Sequence, residues 1–589
     1  EPLEAGIVRV YGCGPTIYNH AHIGNFRTFL FFDLVHRYLD WSGYEVRFVM
    51  NLTDVDDKVI ESAVESGITI TEKTTPFGEA FLADSSTLGI RPAESYPRAT
   101  DYIGAMVDFV QRLVDGGHAY PADDGAVYFS IASFAEYGRL KGIDTSTLKV
   151  GARVSHDQYD KEDARDFALW KAATAEDEQV EAAGDSPWGR GRPGWHLECS
   201  VMSIAELGET LDMHLGGEDL VFPHHENEIA QSEAATGRPF VRHWMHGRHL
   251  FVEGKKMAKS LGNFITLREL LDEGHDPAAI RHLLISSHYR GDLNFTRQGL
   301  EASGSALQRL LDFESRLKGL AVDAGADPSG LATIASEAVE SFRGAMDNDF
   351  NSAAALAVVF GFVSSVNAAL DAHPAVIAAD RDAALAALHS MDEVLGLLEV
   401  ASASRVVDDD LAARFAEDIV LMHSVGIRPV VVHGGAPQIG AMMDRLGLEA
   451  EFRDGLRVTD ADTLDIARMV LVGKVNREIV ASINVHGPLA VGLSGEDASL
   501  IQATALHPDL GFVGDVEAVN PAILDRVLAE NLIPVVSTIG VDLSGQAYNI
   551  NADTVAAALA VALGAERILY LTDVEGLLAD TDDPDSRIS

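Results

Sequence analysis

The chain has 589 residues, 47% of them hydrophobic and 23% charged, which is the composition of a globular protein with several domains. Its formal net charge of −45 argues against a general nucleic-acid binder, although it does not exclude a local basic groove. The sequence shows no long apolar run, no secretory start and only two cysteines, so we expect a cytoplasmic protein without a membrane span or a disulfide framework.

The first predicted elements form a strand–helix–strand unit. The segment GIVRVYGCG predicts a short buried strand that ends in a glycine turn. Residues 26–42 predict a helix, and YEVRFVMNLTD predicts the second strand. This order is typical of a parallel α/β sheet, in which ligands bind at the carboxyl ends of the strands, where Cys13 falls.

The middle of the chain predicts an insertion into this sheet domain. Residues from about 120 to 185 contain one strand, AVYFSI, and end in the loop DSPWGRGRPG. The segments GWHLECSVMS and LDMHLGGEDLVFPHHENEIAQSEAATG then resume the sheet domain. From 297 to about 400 the pattern is helical, with breaks at DPSG and HPA, and after Arg405 short strands rich in Val and Ile alternate with helices.

Two cysteines and one helix suggest a metal site. Pro223 suits the first turn of a helix that ends at Gly237, on which His224 and Glu228 share a face because they are four residues apart. With the two cysteines they make a plausible zinc shell of thiolates, imidazole and carboxylate. The alternatives are that the histidines cap the helix and that the cysteines are small buried hydrophobic residues.

Two further short motifs, HIGN and KKMAKS, are weak evidence for a binding site when each is taken alone. His22 and Asn25 of HIGN would lie on one face near a helix N-terminus, which suits a phosphate, although an ordinary helix start is the alternative. The run KKMAKS contains three lysines within five residues, and its alternative interpretation is a solvated basic loop.

Together these motifs carry a resemblance. The chain resembles the class I aminoacyl-tRNA synthetases and, closely, the cysteinyl-tRNA synthetases, from residue 1 to roughly 400. The motifs that carry it are CGPTIYNHAHIGN, NLTDVDDK, GWHLECS, GGEDLVFPHHENEIAQSE, KKMAKSLGNF and AMDNDFNSAAALAVVF. The resemblance implies a Rossmann-type catalytic domain that uses ATP, Mg²⁺ and one Zn²⁺ to join L-cysteine to tRNA(Cys), in a protein that is a monomer over this part.

The resemblance also implies roles for single residues. The zinc ligands are Cys13, Cys199, His224 and Glu228. The catalytic residues of the two nucleotide signatures are His22, Asn25, Lys256 and Lys259, of which His22, Asn25 and Lys259 bind ATP. Thr16 and Trp195 line the amino-acid pocket. Ala258 stands where the family usually has serine, which removes a hydroxyl from the lysine signature and keeps both cations.

The expected chemistry explains the need for zinc. A ligase for cysteine must reject serine, which has nearly the same shape, and a thiolate is a good zinc ligand whereas a neutral hydroxyl is a poor one. Refusal of serine at the binding step would make an editing site unnecessary. Four protein ligands suggest a closed structural site, so catalytic use requires the substrate sulfur as a fifth ligand.

The residues from Val406 onward resemble acetylglutamate kinase of the amino-acid kinase family. The motifs are VVVHGGAPQIG, FRDGLRVTD, VNREIV, GLSGEDASLI and QAYNINADTVAAALAVALGAERILYLTDVEG. By this resemblance the acetylglutamate-like site contains Gly435, Arg457 and Asn549, together with Ala436 in place of the family's third glycine, and Asp553 organises the catalytic lysines. Neither the family's phosphate-binding lysine strand nor its second catalytic lysine occurs in the sequence, so we expect an inactive kinase fragment.

These interpretations give five expected regions. They are a catalytic domain (1–115 and 187–250), a connective insertion (116–186), a lysine-signature and stem-contact region (251–296), a helical tRNA-binding domain (297–405) and a kinase-like fragment (406–589). The favoured function is cysteine–tRNA ligase. The alternatives are an acetylglutamate kinase of arginine biosynthesis, a bifunctional fusion, a cysteine–amino-sugar ligase and a zinc-bound scaffold without turnover.

Overall fold

The computed structural model describes residues 1–142, 166–257, 263–323, 329–372, 376–448, 451–453 and 456–571. Ala258 and Lys259 of the predicted lysine signature therefore lie outside the described residues. The chain divides into two compact units, Glu1–Ser404 and Arg405–Ser589.

A four-stranded parallel sheet forms the centre of the first unit, which confirms the predicted α/β class. Its strands, in the order β2-β1-β7-β8, are β1 (Ile7–Gly12), β2 (Glu45–Met50), β7 (Leu211–Gly217) and β8 (Val241–Gly247). Cys13 directly follows β1 and so lies at the carboxyl end of the sheet, as predicted. The chain there is tightly packed, because a Cβ atom on Gly14 would lie 1.7 Å from the carbonyl oxygen of Asn51.

Helix α1 (Ile23–Trp41) packs against this sheet and contributes many residues to its hydrophobic core. It begins three residues before the predicted start, because His22 and Asn25 form a capping box that satisfies the first backbone N–H groups. Its side chains Phe26, Leu30 and Phe32 are fully buried. The other helices packed around the sheet are α2 (Asp57–Ser66), α3 (Ile70–Thr87), α4 (Ile103–Asp115), α6 (Trp195–Leu207) and α7 (Glu226–Thr236).

Pro223 lies in the first turn of the expected helix, because Phe222 before it is extended and the residues after it are helical. The residues Val221–His225 form an irregular helical turn in which Phe222 is extended (φ −145°, ψ 130°), and the regular helix α7 begins at Glu226. The extended residue interrupts the hydrogen-bond ladder. The helix still ends before Gly237, which adopts the left-handed conformation (φ 68°) expected of a C-terminal glycine.

A second sheet occupies the region predicted to be an insertion. It is antiparallel, and its strands are β3 (Ala119–Pro121), β4 (Val127–Phe129), β5 (Phe167–Ala172) and β6 (Gly191–Pro193). The short helix α5 (Ala175–Gln179) lies between β5 and β6 in the chain. The predicted strand AVYFSI is thus shortened to three residues. Trp170 and Phe129 are fully buried in its core.

A small three-stranded sheet follows β8. Its strands are β9 (Leu250–Val252), β10 (Lys255–Lys256) and β11 (Leu293–Phe295), and two helices lie between β10 and β11 in the chain, α8 (Leu267–Asp272) and α9 (Pro277–Ile285). β9 pairs with β11 in parallel and with β10 antiparallel.

The predicted helical region forms a bundle. Its helices are α10 (Arg297–Lys318), α11 (Leu331–Asp347), α12 (Ser352–Ala372), α13 (Ala378–Leu395) and α14 (Leu397–Ser424), the last of which contains the division between the units. By length and composition α12 could cross a membrane, contrary to the expectation of no such segment. This is weak evidence, because Leu356, Val359 and Val366 of α12 are buried in the hydrophobic core of the bundle.

A buried ion network joins α1 to α9 and α13. Asp33 Oδ2 accepts hydrogen bonds from Arg37 Nε at 2.9 Å and Arg281 Nη2 at 2.5 Å. Arg281 also donates to the carbonyl oxygens of Leu395 and Leu88, at 2.6 and 2.9 Å. The side chains of Asp33, Arg37 and Arg281 are inaccessible to water, so removal of one of them would leave a buried partner without that hydrogen bond.

The second unit is also α/β, as expected. It contains a parallel sheet in the order β12-β18-β15, a closed barrel in the order β16-β17-β20-β19 and a two-stranded hairpin, β13-β14. The strands are β12 (Val431–His433), β13 (Phe452–Arg453), β14 (Leu456–Arg457), β15 (Ala490–Ser494), β16 (Ile501–Ala505), β17 (Val513–Val519), β18 (Ile533–Ser537), β19 (Ile539–Val541) and β20 (Ala547–Ile550). The helices are α15 (Ala436–Arg445), α16 (Ala461–Arg468), α17 (Asn476–Asn484), α18 (Ala522–Ala529) and α19 (Ala552–Leu563).

Candidate metal and nucleotide site

The structure brings the four predicted metal-binding side chains together. One candidate ligand atom from each of Cys13, Cys199, His224 and Glu228 lies within 4.8 Å of all the others, and all four residues are buried. The two sulfur atoms are 3.8 Å apart. Zinc–sulfur bonds of about 2.3 Å at a tetrahedral angle place two sulfurs about 3.8 Å apart, so the pair has the spacing of a zinc site.

The electrostatics of this cluster also fit a divalent cation. Both Glu228 oxygens are buried and accept no well-aligned hydrogen bond from the described residues, although His224 Nε2 lies 2.9 Å away. Burial raises the pKa of Glu228 and of Cys13 well above their ordinary values. The hydrogen bond between the cysteines lowers the pKa of Cys199 to about 7. A cation would stabilise the anionic forms that burial disfavours, so this donor set fits zinc.

Two histidines that the sequence analysis did not select also contact the cluster. His214 on β7 and His225 each place Nε2 at 3.4 Å from Cys13 Sγ. With Cys13 and Glu228 they form a second group of four candidate ligands within the same 4.8 Å limit. The Nδ1 atom of His225 lies 2.8 Å from Nε2 of His246 on β8. The signal in the sequence was their position near the carboxyl ends of two strands, but only the pairing of β7 with β1 and β8 brings them to Cys13.

The orientation of His224 is set by its neighbours. Its Nδ1 atom lies 2.9 Å from Nδ1 of His196, so its Nε2 atom is the one that faces Glu228. The ring of Trp195 stacks on the imidazole, with the centroids 4.2 Å apart. Trp195 is 39% exposed, whereas His224 beneath it is buried, so the indole separates this part of the cluster from solvent.

Thr16 lies in the loop after Cys13, which pairs with the loop after β2. Ile17 N donates to the carbonyl oxygen of Thr53, and Thr53 N donates to that of Pro15, both at 3.1 Å. Asn51 Oδ1 accepts a hydrogen bond of 2.9 Å from Gly14 N. These contacts hold the half-buried Thr16 at the same edge of the sheet as the two cysteines.

Helix α7 also binds the loop that follows β4, through Glu226 and Asn227. The Glu226 carboxylate accepts hydrogen bonds from the backbone N–H groups of Gly138, Leu140 and Lys141 at 2.8, 3.1 and 3.2 Å. The Tyr137 hydroxyl donates to Asn227 Oδ1 at 2.5 Å. The helix that carries Glu228 therefore also binds the loop after β4. This role could not be predicted from the sequence, because a glutamate that binds a loop and a glutamate that binds a metal have the same side chain.

His22 and Asn25 meet at the N-terminus of α1. His22 Nδ1 accepts from Asn25 N, and Asn25 Oδ1 accepts from His22 N, each at 3.1 Å. In neutral His22 the proton is therefore on Nε2. A Cβ atom on Gly24 would lie 3.0 Å from the His22 ring, so glycine keeps this turn compact. The end of a 19-residue helix with such donors suits a phosphate group.

The segments on both sides of the lysine signature approach the same turn. Ile23 N donates to Ile265 O at 3.0 Å, and the His22 and Phe264 rings meet edge to face at 5.1 Å. Lys256 lies exposed on β10. The described residues that follow the lysine signature, Phe264 and Ile265, therefore lie beside the turn that contains His22.

The predicted residues of the second unit lie on several elements. Ala436 is exposed at the first position of α15, directly after Gly435, and its carbonyl oxygen accepts a hydrogen bond of 3.1 Å from Arg457 Nη2. Asn549 is on β20, and Asp553 is exposed in the first turn of α19. The structure therefore brings Arg457 to the glycine turn.

Three family models match consecutive parts of the chain. The model of the catalytic domain of class I (C) tRNA synthetases matches residues 1–305, and the DALR domain model matches residues 341–399. The model of the amino acid kinase family matches residues 400–589.

The chain is also similar to named proteins. It is 48% identical over 418 residues to a cysteine–tRNA ligase of Koribacter versatilis, a match that covers 71% of this chain and 82% of that protein. It is 46% identical over 400 residues to a cysteine–tRNA ligase of Chlamydia trachomatis, covering 66% and 84%. Among solved structures, methionyl-tRNA synthetase of Mycobacterium tuberculosis in complex with methionyl-adenylate aligns with 15% identity and a TM-score of 0.49, covering 66% of this chain and 90% of that one.

Proposed function

The chain belongs to the cysteine–tRNA ligases, a family of class I tRNA synthetases, and we propose that Cys13, Cys199, His224 and Glu228 hold the zinc ion with which it selects cysteine. The observation that carries this proposal is the meeting of two sulfurs, one imidazole and one carboxylate within 4.8 Å in a buried cluster. When bound, zinc would favour a thiolate over a hydroxyl and lower the pKa of the incoming thiol.

The surrounding residues would position the amino acid. Trp195, stacked on His224 and partly exposed, would form one wall of the pocket and exclude water from the cluster. The loop with Thr16 would form the floor, because its backbone is fixed to the loop after β2. Serine would not supply the substrate sulfur that cysteine adds as a fifth ligand, so its adenylate would form slowly.

Activation of cysteine uses ATP, and we assign the phosphate contacts to the two signatures. The cysteine carboxylate attacks the α-phosphorus of ATP, and pyrophosphate leaves. The N-terminus of α1 with His22 and Asn25 would face the α-phosphate, while Lys256 and Lys259 would stabilise the leaving pyrophosphate. Mg²⁺ would accompany the triphosphate. No protein nucleophile is required, because alignment of the two substrates supplies most of the acceleration.

The acceptor is tRNA, whose terminal ribose hydroxyl attacks the adenylate. We propose that the bundle α10–α13 contributes to tRNA binding, since the DALR domain model matches residues 341–399. We further propose tRNA(Cys) as the specific acceptor, the cytoplasm as the location and a monomer for the synthetase part. The region boundaries predicted from the sequence are part of this proposal.

One set of assays tests the assignment. Purified protein should catalyse cysteine-dependent pyrophosphate–ATP exchange, charge tRNA(Cys) and contain one zinc per chain, with serine giving no exchange above background. Exchange without charging would favour a cysteine–amino-sugar ligase. No exchange by metal-loaded protein would refute the proposal. Release of ADP that depends on N-acetylglutamate would show that residues 405–589 act as a kinase, which we do not expect.

A further inference from the structure

Arg27 is a buried cation on α1, five residues after His22, and its hydrogen bonds go to neutral oxygen atoms, although Asp292 and Glu218 are close enough to favour its charge. Its Nη1 atom donates to the carbonyl oxygens of Arg248 and His249, at 3.0 and 2.5 Å. Its Nη2 atom donates to Ser287 Oγ at 3.1 Å and also to the carbonyl oxygens of His288 and Gly291. The side chain is only 5% exposed, and its recorded hydrogen bonds in the described part of the chain all go to uncharged acceptors.

These acceptors lie at the start of two neighbouring strands. Arg248 and His249 immediately precede β9, and Gly291 comes two residues before β11. β9 and β11 pair in parallel, and β10, which consists of Lys255 and Lys256, pairs with β9. One guanidinium on α1 therefore fixes the same end of both strands in the sheet that leads to the lysine signature.

The other side of the lysine signature is also bound to α1. Ile265 O accepts from Ile23 N at 3.0 Å, and Phe264 contacts the His22 ring. The described residues before and after the lysine signature are thus both bound to α1, Arg248 and His249 through Arg27, and Ile265 through Ile23. β9 is only about 10 Å long, at roughly 3.3 Å per residue. A displacement of the residues just before it, which Arg27 holds, would therefore also displace Lys255 and Lys256 on the paired strand β10.

We propose that Arg27 is a positioning residue for adenylate formation, which holds the lysine-bearing sheet at the distance from the α1 N-terminus that the triphosphate requires. This inference rests on the proposed ligase function. A planar guanidinium with five N–H groups can serve acceptors in two loops at once, whereas an ammonium has three donors at one point. Loss of alignment by about 1 Å can cost roughly 100-fold in rate.

The expected kinetic effect separates Arg27 from the amino-acid pocket. Cysteine would bind at the metal cluster, to which Arg27 makes no contact among the described residues. Arg27→Lys should therefore lower kcat of cysteine-dependent pyrophosphate–ATP exchange by about 30- to 100-fold. The KM for cysteine and the zinc content should stay within about threefold of the wild-type values.

Arg281→Lys is the control, because Arg281 is also a buried arginine that donates to backbone carbonyl oxygens, and its acceptors Leu395, Leu88 and Asp33 lie outside the small sheet. Both variants should melt at lower temperature, and only Arg27→Lys should lose kcat. Ser287→Ala, which removes one acceptor of Arg27, should lower kcat by a few-fold in a protein that folds normally. The inference is overturned if kcat of Arg27→Lys and Ser287→Ala falls no more than that of Arg281→Lys, or if the KM for cysteine rises in step. Absence of exchange in the wild-type protein would instead refute the ligase proposal.

Discussion

The imidazole of His224 lies 2.9 Å from the carboxylate of Glu228, one helical turn further along the chain, with both side chains buried. Burying an ionised carboxylate beside an imidazole, away from water, costs free energy unless a positive charge nearby compensates it. The two sulfurs and this pair together provide four donors for one dication. The first predictions concern this cluster.

Replacement of His224 by asparagine should abolish zinc binding. Replacing a residue that hydrogen-bonds to a metal ligand typically lowers metal affinity or activity by about 10- to 100-fold. Loss of a ligand itself should therefore lower the zinc affinity by more than about 100-fold. The checks are metal analysis by mass spectrometry and cysteine-dependent exchange. His243→Asn is the control, because His243 is an exposed histidine on β8. Full zinc occupancy in His224→Asn would contradict the assignment of this ligand.

Replacement of His225 by asparagine should distinguish the two possible ligand sets. If Cys13, Cys199, His224 and Glu228 hold the ion, His225→Asn should retain zinc with an affinity lowered by no more than about 10- to 100-fold. His214→Gln should behave in the same way. If both variants lose zinc whereas His224→Asn retains it, the ion is held by the second set, in which these two histidines are ligands and His224 is not.

Replacement of Glu226 by glutamine should loosen the loop after β4 without removing the metal. The carboxylate accepts three backbone N–H groups, and a glutamine cannot satisfy all of them, so we expect a loss of about 1–3 kcal/mol in the free energy of unfolding. Urea unfolding followed by tryptophan fluorescence measures this change, since all five tryptophans lie before residue 405.

The control for that variant is Glu65→Gln, because Glu65 is exposed on α2 and its change should stay within about 0.5 kcal/mol. The zinc content measured with zinc in excess should equal the wild-type value in both variants, because neither change removes a ligand. An equal stability of the Glu226 and Glu65 variants would show that the loop does not depend on the carboxylate.

Replacement of Asp33 by asparagine should destabilise the first unit and change its response to acid. Burial alone would raise the pKa of Asp33, but Arg281 and Arg37 outweigh it and hold the pKa below the ordinary 3.8. Breaking such a buried pair typically costs about 3–5 kcal/mol. Because the folded state binds fewer protons at Asp33 than the unfolded state, its contribution is complete above pH 3.8 and is lost as the pH falls towards the folded value.

The free energy of unfolding at pH 7, 5, 4 and 3 measures this effect. The difference between wild type and Asp33→Asn should be constant from pH 7 to 5 and should shrink below about pH 4. Burial lowers the pKa of Arg281, yet a guanidinium stays charged throughout this range. A difference that grows towards low pH would contradict the assignment.

The sequence predicted those parts of the site that depend on local rules. The i, i+4 spacing of His224 and Glu228 and the position of Cys13 at a strand end can be read without knowledge of the fold. Which side of the molecule Cys199 faces could not be read, and only the resemblance placed it with the others. The first helical turn at Pro223 could also be predicted, since the extended Phe222 directly precedes it, but the irregular turn formed by Val221–His225 could not.

Other contributors left no signal in the sequence for a physical reason. His214 and His246 reach the cluster through strand neighbours that are far apart in the chain. The cage around Arg27 consists mostly of backbone carbonyl oxygens, which every residue possesses. The carboxylate of Glu226 has the same side chain as Glu228, and only the path of the loop after β4 gives it a different partner.

Because Glu226 and Glu228 share helix α7, occupancy of the metal cluster and closure of the loop at Gly138 are thermodynamically linked. If metal binding favours closure of the loop, closure of the loop must raise the affinity for the metal by the same factor. Chelation should therefore make the backbone near Gly138 easier for a protease to cut, and an antibody that clamps this loop should slow the departure of the ion.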